Sequence, residues 1–480
     1  MKTRSLCFLA IFLAAAPLFS ADEMRIMVSR FSNAGPSNDW MAAGIEDSVI
    51  NDLKKIKSLT VISSDSRAKA LKELTFQLSG LVDEAKQVKV GEIVGANVVL
   101  SGAFTVVDDK IRVTARMVNV EKQDILSSAK IDGEVKKIFD VQDRIVIEIL
   151  DSMSAEKKAL FTPVTIGDEE KAGFVGKQNL SLPAFELYAK GLNVERTDQA
   201  AAIEYFTKAI AQDPGYVEAL LKAASVSAQI SQFDKADKFM ADALKALQAK
   251  KADKTDKMAK YYLVHGSVRM SQYKFQDAEK SLKMAMQILE QLKLKRSPSY
   301  ESCLLGLGNI YVMQNKVGEA QKKLEEAKAL IAELKLDKGL DQIVVLVGLG
   351  GMNWMAKKYD TALGYYEEAE RLAKAIRYEK TKYFADVLGN KGEAFYSMKD
   401  LAKALDCKQR GLAILKEIGQ ERTELAAYLL QGVGSLKYET GKKAEAIEAY
   451  EQCQEIRREL HLENTDYYKA VANALKVLKR

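Results

Sequence analysis

The sequence predicts an α+β protein, in which a small α/β domain with a mixed sheet precedes an all-α superhelix of repeated helix pairs. Three observations predict this. Residues 22–153 alternate apolar runs of period two with amphipathic runs of period three to four. Residues 183–480 repeat the same small residues every 42 positions. Residues 154–182 mix charge with glycine and proline, as linkers do.

Length and composition indicate a folded, multidomain chain. Its 480 residues suffice for two or three domains, each with its own core. With 48% hydrophobic and 29% charged residues, disorder is not expected for any long segment. The net charge is +6, and 72 basic and 66 acidic residues are interleaved rather than clustered. This pattern is typical of solvated helix faces and argues against a nucleic-acid partner.

Residues 1–21 predict a cleaved export signal. Lys2 and Arg4 precede the apolar run Leu6–Phe19, and small residues follow at Ser20 and Ala21. The run is shorter than the ~20 residues that span a bilayer, and no later stretch is long and apolar enough to span one. We therefore expect an exported, periplasmic protein without a direct membrane span, with the outer membrane as the other candidate site of association.

Residues 22–153 predict strands and helices in a mixed order. The predicted strands are Met24–Phe31, Leu59–Asp65, Asn97–Val107, Lys110–Val120 and Ile125–Gly133, and the helices are Trp40–Lys57, Glu84–Ala96 and Val135–Met153. Asp108 and Asp109 form the predicted hairpin turn between two strands. We expect the helix carboxylates to face solvent, with no acid–base pair; these are Glu46, Asp47, Asp140 and Asp143.

This order resembles the small α/β domain shared by the amino-terminal part of TolB and the curli-secretion-pore family. The segments that carry the resemblance are GIEDSVINDL (residues 44–53), LTVIS (59–63), IVGANVVLSGAF (93–104), IRVTARMVN (111–119) and IFDVQDRI (138–145). The resemblance implies action by protein contact at the cell envelope. We do not expect a pore, because the loops are too short to supply membrane-spanning hairpins.

The carboxy-terminal part has a register of 42 residues. Glycines recur at Gly266, Gly308, Gly350, Gly392 and Gly434, and alanines follow each by 12 positions at Ala278, Ala320, Ala362, Ala404 and Ala446. A large residue follows each alanine by four positions, with Lys408 as the exception. Each unit reads as a helical hairpin, in which the glycine and the alanine let two backbones approach closely.

This register resembles the tetratricopeptide repeat. The signature of the second helix is clearest in the first unit, at Ala202, Phe206, Ala209 and Pro214. The resemblance covers residues 183–480, about seven units, of which the last five have the 42-residue period. The sixth unit departs from the pattern at Lys408 and Gly411.

The resemblance implies that the first helices line a groove for a protein or peptide partner. One groove position recurs as Met270, Val312, Trp354, Tyr396 and Tyr438, and Asn309 matches the family's asparagine that binds a peptide backbone. The lysines that capture a terminal carboxylate are not reproduced. We hypothesise that the three aromatic residues anchor the partner. The alternative is packing between neighbouring repeats, and solvent exposure distinguishes the two.

Little in the sequence points to catalysis. Cys303, Cys407 and Cys453 have no CxxC spacing and are expected to be buried thiols, and the two histidines lack ligand-like spacing. We expect no metal and no cofactor. The stretch VVLVGLGGMNW (Val344–Trp354) resembles a nucleotide-binding loop, but Asn353 stands where a third glycine is needed and Gly350 belongs to the repeat register.

The sequence therefore predicts a non-enzymatic, exported adaptor at the bacterial cell envelope. Two alternatives remain open. The first is an accessory subunit of an envelope secretion or assembly complex. The second is an enzyme that binds a nucleotide at Gly348–Gly351.

Overall fold

A computed structural model describes residues 22–480 except 36–37, 57, 63–66, 68–69, 71–82, 165, 168–180, 196, 253, 461, 464 and 480. The predicted export signal, residues 1–21, lies outside the described residues. Within the described residues, no helix is long and apolar enough to cross a membrane.

The amino-terminal domain contains a mixed sheet, as predicted. Its strands are β1 Arg25–Val28, β2 Ser32–Asn33, β3 Thr60–Val61, β4 Val98–Val107, β5 Lys110–Asn119 and β6 Ile125–Glu134. The order is β3-β1-β4-β5-β6, with β2 also paired to β4. Strand β1 runs parallel to β3 and β4, whereas β4, β5 and β6 are antiparallel. Asp108 and Asp109 join β4 to β5 with positive φ, as a two-residue hairpin turn requires.

The helices that the described residues form beside this sheet are α1 Trp40–Leu53, α2 Asp83–Ile93, α3 Ile138–Asp151 and α4 Ala155–Lys158. Helices α1 and α3 bury apolar faces in one core with the sheet, and Ile45, Val49 and Ile145 are fully buried there. Alternate residues of β5 face the same core, which explains its period-two pattern. Phe161, inside the predicted linker, is also buried in this core.

The expectation of solvent-facing carboxylates on α1 and α3 is wrong for three of the four residues. Glu46 is buried and pairs with Arg67. Asp47 accepts a hydrogen bond from the Tyr188 hydroxyl at 3.1 Å. Asp143 is buried too, because α1 and α3 pack side by side and leave it facing Asp52 of α1. Asp140 is exposed, as expected.

The carboxy-terminal part is a run of helices that pack in consecutive pairs. The pairs are α5 Leu182–Val194 with α6 Gln199–Gln212, α7 Val217–Gln229 with α8 Phe233–Ala249, α9 Asp256–Ser271 with α10 Phe275–Gln291, α11 Pro298–Met313 with α12 Val317–Glu333, α13 Leu340–Met355 with α14 Tyr359–Ala375, α15 Lys382–Ser397 with α16 Leu401–Glu417, and α17 Glu424–Glu439 with α18 Lys443–Glu459. We number these pairs units 1 to 7. Helix α19, Asp466–Leu478, packs on α18 after the last unit.

The ends of the helices follow the same 42-residue register. The first helices of units 3, 4, 6 and 7, and helix α19, begin after a hydroxyl residue whose side chain accepts a backbone N–H; these residues are Thr255, Ser297, Thr381, Thr423 and Thr465. In unit 5 the same position is Gly339. The turns inside the units place a residue with positive φ at Ser231, Tyr273, Asn315, Lys357, Lys399 and Gly441. The capping residues and the residues with positive φ each recur every 42 positions in the sequence, but the glycine register alone does not reveal these two series.

Candidate partner-binding groove

The glycines of the register contact the large residue of their own unit. A Cβ on Gly266 or Gly308 would stand 2.9 Å from Leu282 or Leu324, respectively, and one on Gly434 would stand 2.7 Å from the Tyr450 ring. These distances are below any normal carbon contact. In units 3, 4, 5 and 7 the first helix therefore approaches the second so closely that a Cβ on the glycine would force the facing side chain to shift.

The alanines of the register complete this seam. Each lies fully buried in the second helix of its unit; they are Ala278, Ala320, Ala362, Ala404 and Ala446. In unit 1, Ala202, Phe206 and Ala209 are fully buried, whereas Pro214 is exposed in the turn after α6. The same buried contact thus recurs in unit 1 and in units 3 to 7.

Two of the groove aromatics connect neighbouring units. The Trp354 indole Nε1 donates a hydrogen bond to Ser397 Oγ at 2.9 Å, and the Tyr396 hydroxyl donates to Glu439. In each case the acceptor lies 43 residues further on, at the end of the first helix of the next unit. Both aromatic side chains are half-buried. They therefore contribute to packing between repeats and also present a partly exposed face.

Tyr438 is the next aromatic residue in this series, and 54% of its surface is exposed. Helix α19 takes the place of the first helix of the following unit. Among the other groove candidates, Met270 and Val312 are half-buried against the repeat core, and Asn309 is exposed. We call the face that carries these six residues the groove face.

Unit 6 carries a polar cluster on this face. The Lys408 ammonium lies 2.5 Å from Glu393 Oε1 and 4.8 Å from the centre of the Tyr428 ring, although 1% of its side chain is exposed. The Tyr428 hydroxyl donates to the same carboxylate at 3.0 Å. Burial and the charge of Glu393 raise the pKa of Tyr428 well above its usual value. In the sequence, Lys408 interrupts the repeat pattern. The acidic residue at a groove position of the same unit, Glu393, is the feature that could have indicated an ion pair with it.

A second carboxylate lies next to this cluster. Asp386, one turn before Asn390 on α15, accepts a hydrogen bond from the Asn390 amide at 3.0 Å. Burial raises the pKa of Asp386 to about 6, and the Asn390 amide and the Lys382 charge oppose the rise. The groove face of unit 6 is therefore more polar than that of units 3 to 5.

In unit 1 the equivalent face is covered by the amino-terminal domain. Phe185 of α5 packs edge-on against Trp40 and Phe139, with ring centres 6.0 and 5.1 Å apart. Tyr188, one turn later, is fully buried and reaches Asp47. The sequence did not show whether the domain docks on the repeats.

The glycine-rich stretch and the cysteines, which could suggest nucleotide binding or thiol chemistry, lie inside a helix or in the buried core. Gly348–Gly351 forms the middle of helix α13, where a Cβ on Gly350 would stand 2.8 Å from Tyr366 Cδ1. Backbone N–H groups inside a helix are already bonded, so this stretch is not a phosphate-binding loop. Cys303, Cys407 and Cys453 are buried free thiols, and burial raises the pKa of Cys303 to about 12.

Comparison with known proteins identifies the repeats. A family model described as tetratricopeptide repeat matches residues 300–375 and 383–459. A curated relative, putative adenylate cyclase 3 of Rhizobium meliloti (strain 1021), is 29% identical over 154 residues, which cover 32% of this chain and 23% of the relative. The match therefore spans less than a quarter of that protein's length.

Several solved structures are similar in fold. The apo form of RapI is 15% identical and covers 58% of this chain and 98% of its own, with a TM-score of 0.47. A tetratricopeptide repeat protein from Parabacteroides merdae is 14% identical, covering 62% and 99%, with a TM-score of 0.43. BtubC (BKLC) from P. vanneervenii is 19% identical, covering 51% and 92%, with a TM-score of 0.39.

Proposed function

Because the carboxy-terminal part of this chain is built of tetratricopeptide repeats, a scaffold for binding proteins, we propose that it is a non-enzymatic adaptor that holds an extended or helical peptide segment on its groove face. The observation that carries the proposal is the exposure of Tyr438 at the end of a series that begins with half-buried Trp354 and Tyr396. Large aromatic side chains at the centre of a surface are typical anchors for a partner.

The partner segment would lie across units 3 to 7. The first unit is unsuitable, because Phe185 and Tyr188 are buried against the amino-terminal domain. Exposed Asn309 could bond to the backbone of the segment, and Tyr438 offers an apolar ring with a free edge. The carboxylate of Glu393 is already paired with Lys408. We therefore assign Glu393 a role in orienting the partner and not in proton transfer.

We further propose that the adaptor acts outside the cytoplasm, at the bacterial envelope. Support comes from residues 1–21, whose basic start, apolar run and small residues have the form of a cleaved export signal. The resemblance of residues 22–153 to the TolB and curli-secretion domain agrees with this site of action. Detection of the mature chain in an osmotic-shock fraction, with its amino terminus sequenced, tests both points; recovery of the uncut chain in the cytoplasm would contradict them.

The binding proposal is tested with a displayed peptide library selected on the purified protein. Affinity of a selected peptide is then measured for wild type and for Tyr438→Ala and Trp354→Ala, and we expect at least a tenfold loss, about 1.4 kcal/mol, for each. Tyr273→Ala is the matched control, since Tyr273 is 75% exposed but lies in the turn between α9 and α10. Equal affinities for all four proteins would refute the groove face as the binding surface.

Two further measurements separate the rival functions. Fixed-stoichiometry co-purification with one envelope complex would favour an accessory subunit over an adaptor. The named activity of the curated relative also gives a direct check: purified chain incubated with ATP and Mg²⁺ should release no cyclic AMP. Release of cyclic AMP that scales with protein concentration would overturn the non-enzymatic proposal.

A further inference from the structure

Among the described residues, the amino-terminal domain contacts the repeats at two places, and the first is mainly apolar. Helix α1 packs on α5 so closely that a Cβ on Gly44 would stand 2.6 Å from Phe185 Cζ and 3.0 Å from Ala189 Cβ. Phe185 also belongs to the same buried cluster as the core of the domain. Contacts of this kind do not depend on salt concentration in the way that ion pairs do.

The second contact lies at the loops between units 3 and 4 and between units 4 and 5, where ion pairs border an apolar patch in which Val94 and Leu336 are buried in one cluster. Glu23 pairs with Arg296 at 2.6 Å, and Asp22 pairs with Lys335 at 2.6 Å. Burial would raise the pKa values of both carboxyls, but the hydrogen bonds and charges of these partners outweigh it and lower them. Arg296 and Lys335 remain nearly half exposed, so solvent ions reach the pairs.

Arg296 differs from its equivalents in units 6 and 7. Lys380 and Arg422 stand 84 and 126 residues further on, at the same register position. Each pairs with a glutamate 37 residues later in its own unit, Glu417 and Glu459 respectively. Glu333 stands 37 residues after Arg296, but Arg296 donates only to its backbone oxygen, at 2.7 Å. The guanidinium instead forms its ion pair with Glu23 of the amino-terminal domain.

The cap position of unit 5 differs as well. Gly339 stands where other units have serine or threonine, and a Cβ there would lie 3.1 Å from the Val94 carbonyl carbon and 3.2 Å from its oxygen. Gly95, with φ of 75°, packs against Leu336 in the same loop. A side chain at residue 339 would therefore push the domain away, and the missing cap hydroxyl coincides with the place where the domain sits.

We propose that the second contact is an electrostatic latch, formed by Asp22, Glu23 and Val94–Gly95 on the domain and by Arg296, Lys335 and Gly339 on the repeats. It opens and closes while the α1–α5 contact holds as the hinge. Opening uncovers Leu336, which is 6% exposed in the closed form, and frees the two basic side chains. The screening length falls from ~30 Å at 0.01 M salt to ~8 Å at 0.15 M, so salt favours the open form.

The test is hydrogen–deuterium exchange on the full chain at low and high salt. We expect peptides covering residues 94–97 and 334–339 to exchange severalfold faster at high salt, while peptides from α1 and α5 do not change. Arg296→Glu should give the fast exchange at low salt, and Glu23→Arg combined with Arg296→Glu should restore slow exchange. Arg422→Glu, which removes the equivalent pair in unit 7, should leave both segments unchanged.

Gly339→Thr supplies a second, independent variant. It restores the cap hydroxyl of α13 but places a Cβ against Val94, so we expect slower exchange at the start of α13 together with faster exchange at residues 94–97. Salt-independent exchange in wild type, or loss of protection in α1 together with residues 94–97, would overturn the proposal. So would an Arg422→Glu variant that loosens the same segments.

Discussion

The aliphatic stem of Lys408 lies against Gly392, and a Cβ on that glycine would stand 3.1 Å from Lys408 Cγ. Lys408 thus fills the position that leucine or tyrosine holds in units 3, 4, 5 and 7, with its charge turned to Glu393. A lysine stem has enough apolar length for this role. The unit departs from the repeat pattern in charge but keeps its packing.

Truncation of this side chain should therefore destabilise the array. We expect Lys408→Ala to cost about 2–5 kcal/mol, as for large-to-alanine changes in a core. The double change Lys408→Met with Glu393→Gln keeps the volume and removes both charges, so its stability should equal or exceed that of wild type. Thermal unfolding followed by circular dichroism measures both. A Lys408→Ala protein that melts like wild type would show that the stem does not support the seam.

The glycine seam predicts opposite effects for two helical glycines. Gly350→Ala should destabilise the protein by about 1–3 kcal/mol, because the new methyl group overlaps the Tyr366 ring. Gly364→Ala in α14 has nothing within 4 Å and should stabilise by up to about 1 kcal/mol through helix propensity. Tyr366→Leu should relieve part of the Gly350→Ala loss, since leucine fills this position in units 3 and 4. The same sign for both alanine variants in urea unfolding would contradict the close approach.

Asp143 predicts a dependence of stability on pH. Burial and the neighbouring Asp52 raise the pKa of Asp143 to about 7, and Asp140 adds to the rise while Lys55 opposes it. The folded state therefore holds a proton that the unfolded state releases near its ordinary pKa of 3.8. This contribution to stability is present below pH 3.8 and is lost as pH rises through about 7.

Asp143→Asn removes this titration. We expect its melting temperature to change less between about pH 5 and pH 8 than that of wild type, and to exceed it at the upper end. Asp151→Asn is the matched control, because the same charge is removed from an exposed site on the same helix. Parallel pH profiles for wild type and Asp143→Asn would disprove the assignment.

The turns inside the units predict a stabilising glycine. Lys357 has φ of 59°, a conformation that costs an L-residue about 1–2 kcal/mol. Unit 7 has Gly441 at the same position. Lys357→Gly should raise the free energy of unfolding by up to about 1 kcal/mol, after the entropy of the unfolded chain is deducted. At Lys358 φ is −90°, so a glycine relieves no strain there. Lys358→Gly only increases the conformational entropy of the unfolded chain and should therefore lower the free energy of unfolding.

Much of this fold follows from short-range patterns in the sequence. Period-two runs predict the strands of the mixed sheet, and the spacing of Gly350 and Ala362 within their register predicts helix pairs, because both patterns depend on residues close in the chain. The same register shows why Gly350 is not part of a nucleotide site. The position of each groove residue also follows from the register, although its exposure does not.

The features that sequence did not predict depend on distant contacts. Nothing near Asp143 in sequence shows that α1 will pack beside it, and Glu23 gives no sign of meeting Arg296, 273 residues away. The role of Lys408 does not follow from its spacing, because its partner, Glu393, lies on another helix. Gly339 interrupts the regular series of hydroxyl caps, a signal that is present in the sequence but is independent of the glycine register.

The hydrogen bonds from Trp354 to Ser397 and from Tyr396 to Glu439 tie unit 5 to unit 6 and unit 6 to unit 7. A solenoid unit contacts only its neighbours, so unit 1 differs from the later units: α5 is covered by a folded domain, whereas Tyr438 of α17 is exposed. Structure should therefore be lost from the later units before it is lost from unit 1. During synthesis the order reverses, and the amino-terminal domain with α5 becomes the seed on which each new unit is added as it leaves the ribosome.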